Sequence, residues 1–257
     1  LILEVGIGGQ HDVVNCIDAD CAVITSIGLD HQDVLGDTLE AIALQKFGIA
    51  RAGRPCIYAS IHGLKQVKAK ATEKNIPLWV LDQDFSISEA DSGHVHYQGC
   101  KQSRCCLKTD MIWPSNVACA LMALESMGIK VPSSLQLNEL LCQLKVPGRC
   151  QRFQTQTGLW VLDGAHNVEA LVPLTSWLKK QSKRCDNVKA ICGFRRDKPY
   201  WAMLESLACY VGYWCLVPVP EQPKTWTEQD RLEVCQRWPK TECRQDMTAA
   251  LSWAKQG

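Results

Sequence analysis

The chain opens with LILEVGIGGQHD at residues 1–12 and continues, after a spacer, with AVITSIGLDH at residues 22–31. In each segment an apolar run leads into polar side chains and a glycine-containing turn. Two such segments are typical of neighbouring strands of a parallel sheet, and open α/β sheets bind ligands at the carboxyl ends of their strands. We therefore expect Glu4 and His31 to lie at adjacent strand ends and to face one crevice.

A carboxylate and an imidazole in one crevice suggest a metal site, although neither residue is decisive alone. An acid at a strand end is usually a cap or a turn residue, and a single histidine is usually a hydrogen-bonded polar group. With a glycine turn between them, Glu4 and His31 suit Mg²⁺ or Mn²⁺ held beside a phosphate. The residues by themselves leave both interpretations open.

Length, charge and cysteine content narrow the class of protein. The 257 residues suffice for one large or two ordinary domains, and the formal net charge of +1 argues against nucleic acid or a membrane surface as partner. No apolar run is long enough to span a bilayer and no signal peptide opens the chain, so we expect a cytoplasmic protein. The 15 cysteines, odd in number and without a C-x-x-C pair, are expected to be reduced thiols.

A helix pattern follows the second segment. Asp37 is expected to be its N-cap, with Glu40 as the reciprocal partner, and apolar residues recur after it at helical spacing. Lys46 lies beside this apolar stripe, a position from which a lysine ordinarily reaches solvent. Strands are then expected at residues 55–59 and 77–81, on either side of a lysine-rich helix.

Residues 84–107 change to short alternating segments, which indicate a small antiparallel sheet. His94 and His96 share one face of a strand there by the period of two. Because no third ligand follows at suitable spacing, an exposed strand face is favoured over a metal site. A helix is expected to open at Ser115, with Asn116 in its first turn as a polar residue of the cap region.

The second half begins at VPGR, residues 146–149, where Pro-Gly marks a hinge. We place a domain boundary there, between residues 1–146 and 147–257. The segment LWVLDGAHN at residues 159–167 predicts a buried strand that ends in polar residues, before a helix over residues 168–178. A β-α-β rhythm continues beyond this helix and indicates a Rossmann-like layer with right-handed crossovers.

Several of these segments together resemble one protein family. The motifs are EVGIGGQHDVVN at residues 4–15, TSIGLDH at 25–31, QKFGI at 45–49, PGR at 147–149, DGAHN at 163–167 and GFRRDK at 193–198. They resemble those of the folylpolyglutamate synthase/dihydrofolate synthase family, a branch of the Mur-type ATP-dependent amide ligases. The resemblance implies an α/β fold: a Mur-ligase-like central ATPase domain with a parallel sheet at residues 1–146, and a Rossmann-like C-terminal glutamate-ligase domain at residues 147–257. ATP would be held in the cleft between these domains.

The resemblance also implies roles for individual residues. Lys46 would act as its carbamate, which turns a cation into a carboxylate near the metal. Gln10 replaces an arginine that the family usually has, which leaves the substrate preference open. Without the resemblance, Asp12 and Asp163 would be read as ordinary turn or helix caps, and Arg149 as an ordinary surface charge. The implied residues are Glu4 and His31 for Mg²⁺, Lys46 and His166 for catalysis, Asn116, Arg149 and Asp163 for ATP, and His11, Asp12 and Val13 for pteroate.

The implied reaction is amide ligation. A carboxylate of dihydropteroate, or of the glutamate tail of a folate, attacks the γ-phosphate of ATP, and the amine of L-glutamate displaces phosphate from the resulting acyl phosphate. The sequence has no G-x-x-x-x-G-K-S/T phosphate loop, which in the family precedes these motifs. We therefore expect a truncated chain, inactive as given, or a non-catalytic pteroate- or nucleotide-binding remnant. A Mur-type ligase of cell-wall precursors is the third hypothesis. For the oligomeric state, we expect a monomer.

Overall fold

The computed structural model describes residues 1–90, 94–101, 104–108, 113–144, 146–181, 187–220 and 224–256. The chain forms two compact units, Leu1–Lys145 and Val146–Gly257, and the domain boundary expected from Pro-Gly lies next to this division. The ATPase and glutamate-ligase labels of the two units stay predictions. None of the helices in the described ranges combines the length and the apolar character needed to cross a bilayer.

The first unit is built around a small parallel sheet with helices in its crossovers. Its elements are β1 (Ala22–Ile24), α1 (Gln32–Leu35), α2 (Leu39–Phe47), β2 (Cys56–Tyr58), α3 (Leu64–Glu73) and β3 (Leu78–Val80). The strand order is β1-β2-β3, with Val23 opposite Ile57 and Ile57 opposite Trp79. Every residue of β2 is buried, as expected for a central strand covered on both faces. The parallel sheet predicted for this half of the chain is thereby confirmed.

An antiparallel sheet and two helices complete the first unit. They are β4 (Ser86–Glu89), β5 (His94–Gln98), β6 (Arg104–Lys108), α4 (Pro114–Ser126) and α5 (Ser134–Gln143). The strands pair antiparallel in the order β4-β5-β6, which confirms the small antiparallel sheet predicted at residues 84–107. Leu121 and Met122 on α4 share one buried cluster with Ile57 on β2 and Phe85. Helix α4 therefore joins both sheets in one core.

The strand expected at the start of the chain is absent from the structure. Residues 1–5 are assigned no strand, and the ladders of the described strands pair β1 with β2 and not with this segment. The side chains of Leu1 and Ile2 are 102% and 94% exposed. The prediction was wrong because an apolar run supplies strand propensity, whereas a strand also requires a neighbour that completes its hydrogen bonds.

Two helix starts differ by one residue from the expectation. Thr38 caps α2 in place of Asp37, since the Thr38 Oγ1 accepts a hydrogen bond from the amide of Ala41 at 3.1 Å. Helix α4 starts at Pro114 and not at Ser115. Proline suits the first helical position because its ring presets φ and the missing N–H has no partner there anyway.

The second unit combines a hairpin with a second parallel sheet. Its elements are β7 (Gln151–Thr155), β8 (Gly158–Leu162), α6 (Val168–Gln181), β9 (Lys189–Cys192), α7 (Tyr200–Leu207), β10 (Tyr213–Leu216), α8 (Glu228–Arg237), β11 (Thr241–Cys243) and α9 (Met247–Lys255). The parallel strands lie in the order β11-β10-β9, and a helix follows each of them. This β-α-β arrangement is the Rossmann-like layer that was predicted.

Strand β8 is more exposed than its sequence suggests. It pairs antiparallel with β7 in a two-stranded sheet, and Leu159 and Leu162 are 49% and 55% exposed. The buried strand predicted here was wrong. An apolar run of this length fits a core strand or a hairpin strand equally well, and only the pairing partner distinguishes them.

Candidate functional site

The glycine-rich loop of the first unit is organised around the carboxylate of Asp12. One carboxylate oxygen accepts hydrogen bonds from the amides of Gly6 and Ile7, at 2.9 and 3.2 Å. The other accepts from the amide of Val14 at 3.0 Å and so caps the 3₁₀ turn Val13–Cys16. These bonds, that from Val14 above all, hold the pKa of Asp12 below its usual range. Asp12 therefore shapes the loop, and its contact with pteroate stays a prediction.

This loop packs backbone against backbone on the end of α2. The amide of Gln10 donates to the carbonyl of Gln45 at 2.9 Å. A Cβ atom on Gly9 would lie 2.8 Å from the carbonyl oxygen of Lys46 and 2.9 Å from that of Gln45. Only glycine permits such an approach. The loop thereby lies directly against the helical turn that carries Lys46.

Asn15 and Arg51 brace the same contact from the other side. The Asn15 amide nitrogen donates to the carbonyl of Gln10 at 3.0 Å. The Arg51 guanidinium donates to the carbonyl and the side-chain oxygen of Asn15 at 2.8 and 2.9 Å, and it pairs with Asp18. Neither brace is predicted from the sequence, because no local motif marks residues that meet only after the chain folds.

Lys46 lies half-buried on the last turn of α2. Burial lowers the pKa of its ammonium group, and the charge of Asp30 opposes this shift. Asp30 is thus close enough to Lys46 to act on it electrostatically. A lowered pKa increases the fraction of neutral amine, which is the form that reacts with CO₂ to give a carbamate. The motif containing Asp30 was noted in the sequence, but no role was assigned to this residue.

His31 lies next to Asp30, at the start of α1, in the left-handed backbone region with φ of 52°. Its amide donates to a carboxylate oxygen of Asp30 at 2.9 Å, and its Nε2 lies 3.8 Å from the other oxygen. The structure therefore joins Asp30 to His31, and the charge of Asp30 also acts on Lys46. Glu4 is exposed in the segment without a strand, and within the described residues it has no hydrogen bond or ion pair with His31. Its role as a metal ligand stays a prediction.

The remaining candidates of the first unit are exposed. His11 and Val13 lie on the glycine loop, with Val13 83% exposed, and Asn116 projects from the first turn of α4. His94 and His96 line an open surface pocket on the antiparallel sheet, as the sequence favoured. Across the residues that the structure describes, no group of three or more His, Cys, Asp or Glu side chains is arranged to hold a metal ion.

The second unit has its own loop site, in which Asp163 joins two turns. Its carboxylate oxygens accept the amide of Cys150 at 2.7 Å and the amide of Ala165 at 2.8 Å. The amide of Gly164 donates to the carbonyl of Gly148 at 2.7 Å. These bonds lock the PGR turn against the DGAHN segment.

The same turn presents Arg149 to solvent. Arg149 is exposed, and within the described part of the chain its guanidinium has no hydrogen bond or ion pair. The next residue, Cys150, is buried in the left-handed region with φ of 46°. Burial, followed by the nearby charge of Asp163, raises the pKa of the Cys150 thiol to about 11. The turn therefore buries the Cys150 thiol and leaves the Arg149 guanidinium available to bind an anion.

His166 lies beside this turn, with Nδ1 3.3 Å from the carbonyl oxygen of Gly164. The side chain of Asn167 accepts the amide of Ala170 at 2.8 Å and so caps the first turn of α6. Asp163 is therefore not the helix cap, which was the alternative left open by the sequence. The structure brings Arg149, Asp163 and His166 together within the second unit.

Comparisons with known proteins agree with this architecture, although no family model matches the chain. The dihydrofolate synthase/folylpolyglutamate synthase of Escherichia coli K12 is 32% identical over 235 residues, which cover 91% of this chain and 54% of that protein. The crystal structure of E. coli FolC in complex with DHPP and ADP superimposes with a TM-score of 0.85 at 28% identity, covering 97% of this chain and 58% of that one.

A bifunctional folylpolyglutamate synthase/dihydrofolate synthase solved with Mn, AMPPNP and L-glutamate superimposes with a TM-score of 0.84 at 28% identity, covering 98% of this chain and 59% of that one. The chain spans about half the length of the curated relatives it matches. Both sequence and structure thus confirm the resemblance noted in the motifs. The chain is homologous to the folylpolyglutamate synthase/dihydrofolate synthase family across most of its length and has the Mur-ligase-like α/β fold of these ligases.

Proposed function

We propose that the protein is an ATP-dependent ligase that joins L-glutamate to dihydropteroate, to the glutamate tail of a folate, or to both. The observation that carries this proposal is the half-buried Lys46, which the charge of Asp30 influences and whose helical turn packs against the glycine loop, in a chain homologous to such ligases. Two solved relatives support it, because one contains ADP with DHPP and the other contains Mn, AMPPNP and L-glutamate.

The proposed reaction proceeds through an acyl phosphate. A carboxylate oxygen of the pteroate or folate attacks the γ-phosphorus of ATP, and the bond to the β,γ-bridging oxygen breaks to release ADP. The amine of L-glutamate then attacks the acyl carbon, loses a proton and expels phosphate, which leaves an amide. Such chemistry depends on positioning and on neutralisation of charge more than on covalent participation of the protein.

In the second unit, the exposed guanidinium of Arg149 is proposed to neutralise phosphate charge. A guanidinium donates parallel hydrogen bonds that match phosphate oxygens, and it stays protonated at every working pH. Asp163 holds the Arg149 turn in place through its bonds to two amides and is proposed to bind ATP. In the first unit, Asn116 is proposed to bind ATP. His166 is proposed to act near the transferred phosphate.

In the first unit, the Lys46 amine is proposed to add to CO₂ and to release one proton, which gives an anionic carbamate. Mg²⁺ often takes only one or two protein ligands and completes its shell with water and phosphate oxygens, so a carboxylate and an imidazole would suffice to hold it beside a phosphate. His31 and Glu4 are the proposed ligands, with the Lys46 carbamate supporting them. Mg²⁺, when bound, would neutralise charge on the phosphates. His11 and Val13, exposed on the loop that Asp12 shapes, are proposed to meet the pteroate ring.

We further propose that the unit Leu1–Lys145 is the central ATPase domain and the unit Val146–Gly257 the glutamate-ligase domain. The protein is proposed to act as a monomer in the cytoplasm, without nucleic acid or a membrane as partner. The free thiols of the described cysteines support a reducing compartment, and the formal net charge of +1 gives no general attraction to polyanions.

The test is glutamate-dependent ADP release by a protein in which a phosphate-loop segment precedes this chain, measured with dihydropteroate and, separately, with a reduced folate. We expect release only when ATP, glutamate and one acceptor are all present. Lys46→Arg and Glu4→Ala should abolish it, whereas Cys142→Ser, at an exposed position on α5 outside the proposed site, should not. Nucleotide binding without turnover would favour the non-catalytic remnant. Turnover that is unchanged in both site variants would contradict the metal and carbamate assignments.

A further inference from the structure

Two thiols of the second unit face each other in the structure. Cys235 lies on α8, and Cys243 is the last residue of β11. Their sulfur atoms are 3.6 Å apart, which is van der Waals contact. A disulfide bond has a sulfur separation of about 2.05 Å, so the two sulfur atoms need to approach by about 1.5 Å to form one. No sequence motif marks this pair, because the two cysteines do not form a C-x-x-C.

Packed elements, and not a loose loop, hold the two thiols at this distance. Val234, beside Cys235, is fully buried and anchors α8 in the core of the unit. On the other side, Cys243 lies opposite Leu216 in the parallel ladder of β10 and β11. Glu242 fixes the end of β11 further, since its carboxylate accepts the indole N–H of Trp253 at 3.1 Å.

The two thiols differ in access to solvent. Cys243 is exposed, whereas Cys235 is half-buried. Burial, together with the adjacent Cys243 thiol, raises the pKa of Cys235 to about 11. A dissolved reagent therefore meets Cys243 first, and Cys235 is placed to react with whatever Cys243 carries.

We propose that Cys235 and Cys243 form a dithiol site that reacts with small-molecule disulfides, such as glutathione disulfide, to give an intramolecular disulfide. The Cys243 sulfur, after losing its proton, attacks one sulfur of glutathione disulfide and expels a glutathione thiolate that takes up a proton. Cys235 then loses its proton and attacks the Cys243 sulfur, which expels the second glutathione. Two protein thiols are oxidised by two electrons in all, and one glutathione disulfide is reduced to two thiols.

Two other cysteines provide an internal contrast. Cys16 and Cys142 are exposed, and neither has a sulfur partner in the ranges that the structure describes. A thiol without a partner can proceed only to the mixed disulfide with glutathione. The expected products at the two kinds of site therefore differ in mass.

The experiment is disulfide mapping of the native protein after treatment with glutathione disulfide. Remaining thiols are trapped with N-ethylmaleimide in acid, and the protein is digested with trypsin. Cleavage after Arg237 and Lys240 places Cys235 and Cys243 on separate peptides, so their disulfide links two peptides. We expect this linked pair, two hydrogens lighter than the sum of its parts, while Cys16 and Cys142 carry glutathione or maleimide.

Single variants test the order of the steps. In Cys235→Ser, Cys243 should accumulate as a stable glutathione adduct, whereas Cys142→Ser should form the linked pair as the native protein does. Two results would overturn the proposal. One is a lasting glutathione adduct on Cys243 in the native protein. The other is labelling of both Cys235 and Cys243 by maleimide, without the linked pair of peptides, after exposure to glutathione disulfide that converts Cys142 to its glutathione adduct.

Discussion

The two units shape a loop in the same way, but the cation proposed to act in each unit is buried to a different extent. In each, an aspartate carboxylate accepts backbone amides, Asp12 in the first unit and Asp163 in the second. Lys46 is half-buried with a lowered pKa, whereas Arg149 is exposed. The difference matches the chemistry of the side chains, because burial can make a lysine neutral and reactive but cannot deprotonate an arginine.

The loops also differ in how closely they approach their supports. A Cβ on Gly9 would collide with two carbonyl oxygens at the end of α2, whereas a Cβ on Gly164 would lie 3.4 Å from the nearest atom, the carbonyl oxygen of Gly148. The first contact leaves no space, and the second tolerates a methyl group. The site around Lys46 is therefore the more sensitive of the two to its backbone.

Replacing each cation by methionine should separate the two sites most clearly. We expect Lys46→Met to lower glutamate-dependent ADP release by about 10²–10³-fold, the usual effect of removing a placed electrostatic group. The same change should raise the free energy of unfolding at pH 7 by about 0.5–1 kcal/mol, because a half-buried ammonium no longer has to be desolvated. Arg149→Met should leave stability unchanged, since the side chain is exposed.

The pH dependence checks the sign of this effect. Because the pKa of Lys46 is lowered on folding, the charged lysine costs stability at neutral pH, and the cost disappears as the pH rises towards the ordinary lysine value of about 10.4. The stability difference between Lys46→Met and the native protein, from urea unfolding, should therefore shrink as the pH rises. A variant that is less stable than the native protein at pH 7 would contradict the interpretation.

Removing the guanidinium should weaken the use of ATP. We expect Arg149→Ala to raise the KM for ATP by about 10–100-fold, the equivalent of one lost charged hydrogen bond of roughly 1.5–3 kcal/mol. The KM of Arg149→Lys should lie between those of the native protein and Arg149→Ala, because lysine keeps the charge but lacks the planar guanidinium. As a matched control, Arg54→Ala removes an arginine that pairs with Asp20 on the surface and should leave KM unchanged. Equal effects of Arg149→Ala and Arg54→Ala would contradict a phosphate contact.

Matched glycine substitutions measure the difference in loop packing. Gly9→Ala should lower the free energy of unfolding by about 1–2 kcal/mol, since overpacking against backbone exceeds the benefit of a less flexible unfolded chain. Gly164→Ala should change it by less than about 0.5 kcal/mol. Urea denaturation of the two variants gives both values. A loss in Gly164→Ala as large as that in Gly9→Ala would show that both loops are packed equally tightly.

The smallest expected effect concerns acid stability. Asp12 has a folded pKa below its unfolded value, so its stabilising contribution is present at neutral pH and is lost as the pH falls through the acidic range. Asp12→Asn removes this titration. The ordinary pKa of aspartate is about 3.9. As the pH falls from about 5 through this value and below it, the urea midpoint of the variant should therefore decline less steeply than that of the native protein. Equal slopes of urea midpoint against pH in the two proteins would contradict a stabilising role of the ionised Asp12.

Most of the fold could be predicted because its signals are local. Alternation in residues 84–107 indicated antiparallel strands, and helical spacing after Asp37 indicated α2. The failures at residues 1–5 and in β8 share one cause. An apolar run reports the propensity of a segment, and its pairing partner and cover depend on residues far along the chain.

The candidate site shows the same limit. The motifs drew attention to Lys46, His31, Arg149 and Asp163 because their chemistry is visible in single letters. The brace formed by Asn15 and Arg51 was missed, since an amide and a guanidinium 36 positions apart carry no mutual signal in one sequence.

The sequence by itself determined the chemical types available: a glycine loop, a lysine on a helix, an arginine after Pro-Gly, and the motifs that mark the family. The tertiary structure alone decided their state. It half-buries Lys46 beside Asp30, leaves Arg149 exposed, and brings Cys235 into contact with Cys243. The physical reason is that the pKa and reactivity of a side chain depend on desolvation and on nearby charges, and both are set by segments that meet only when the chain folds.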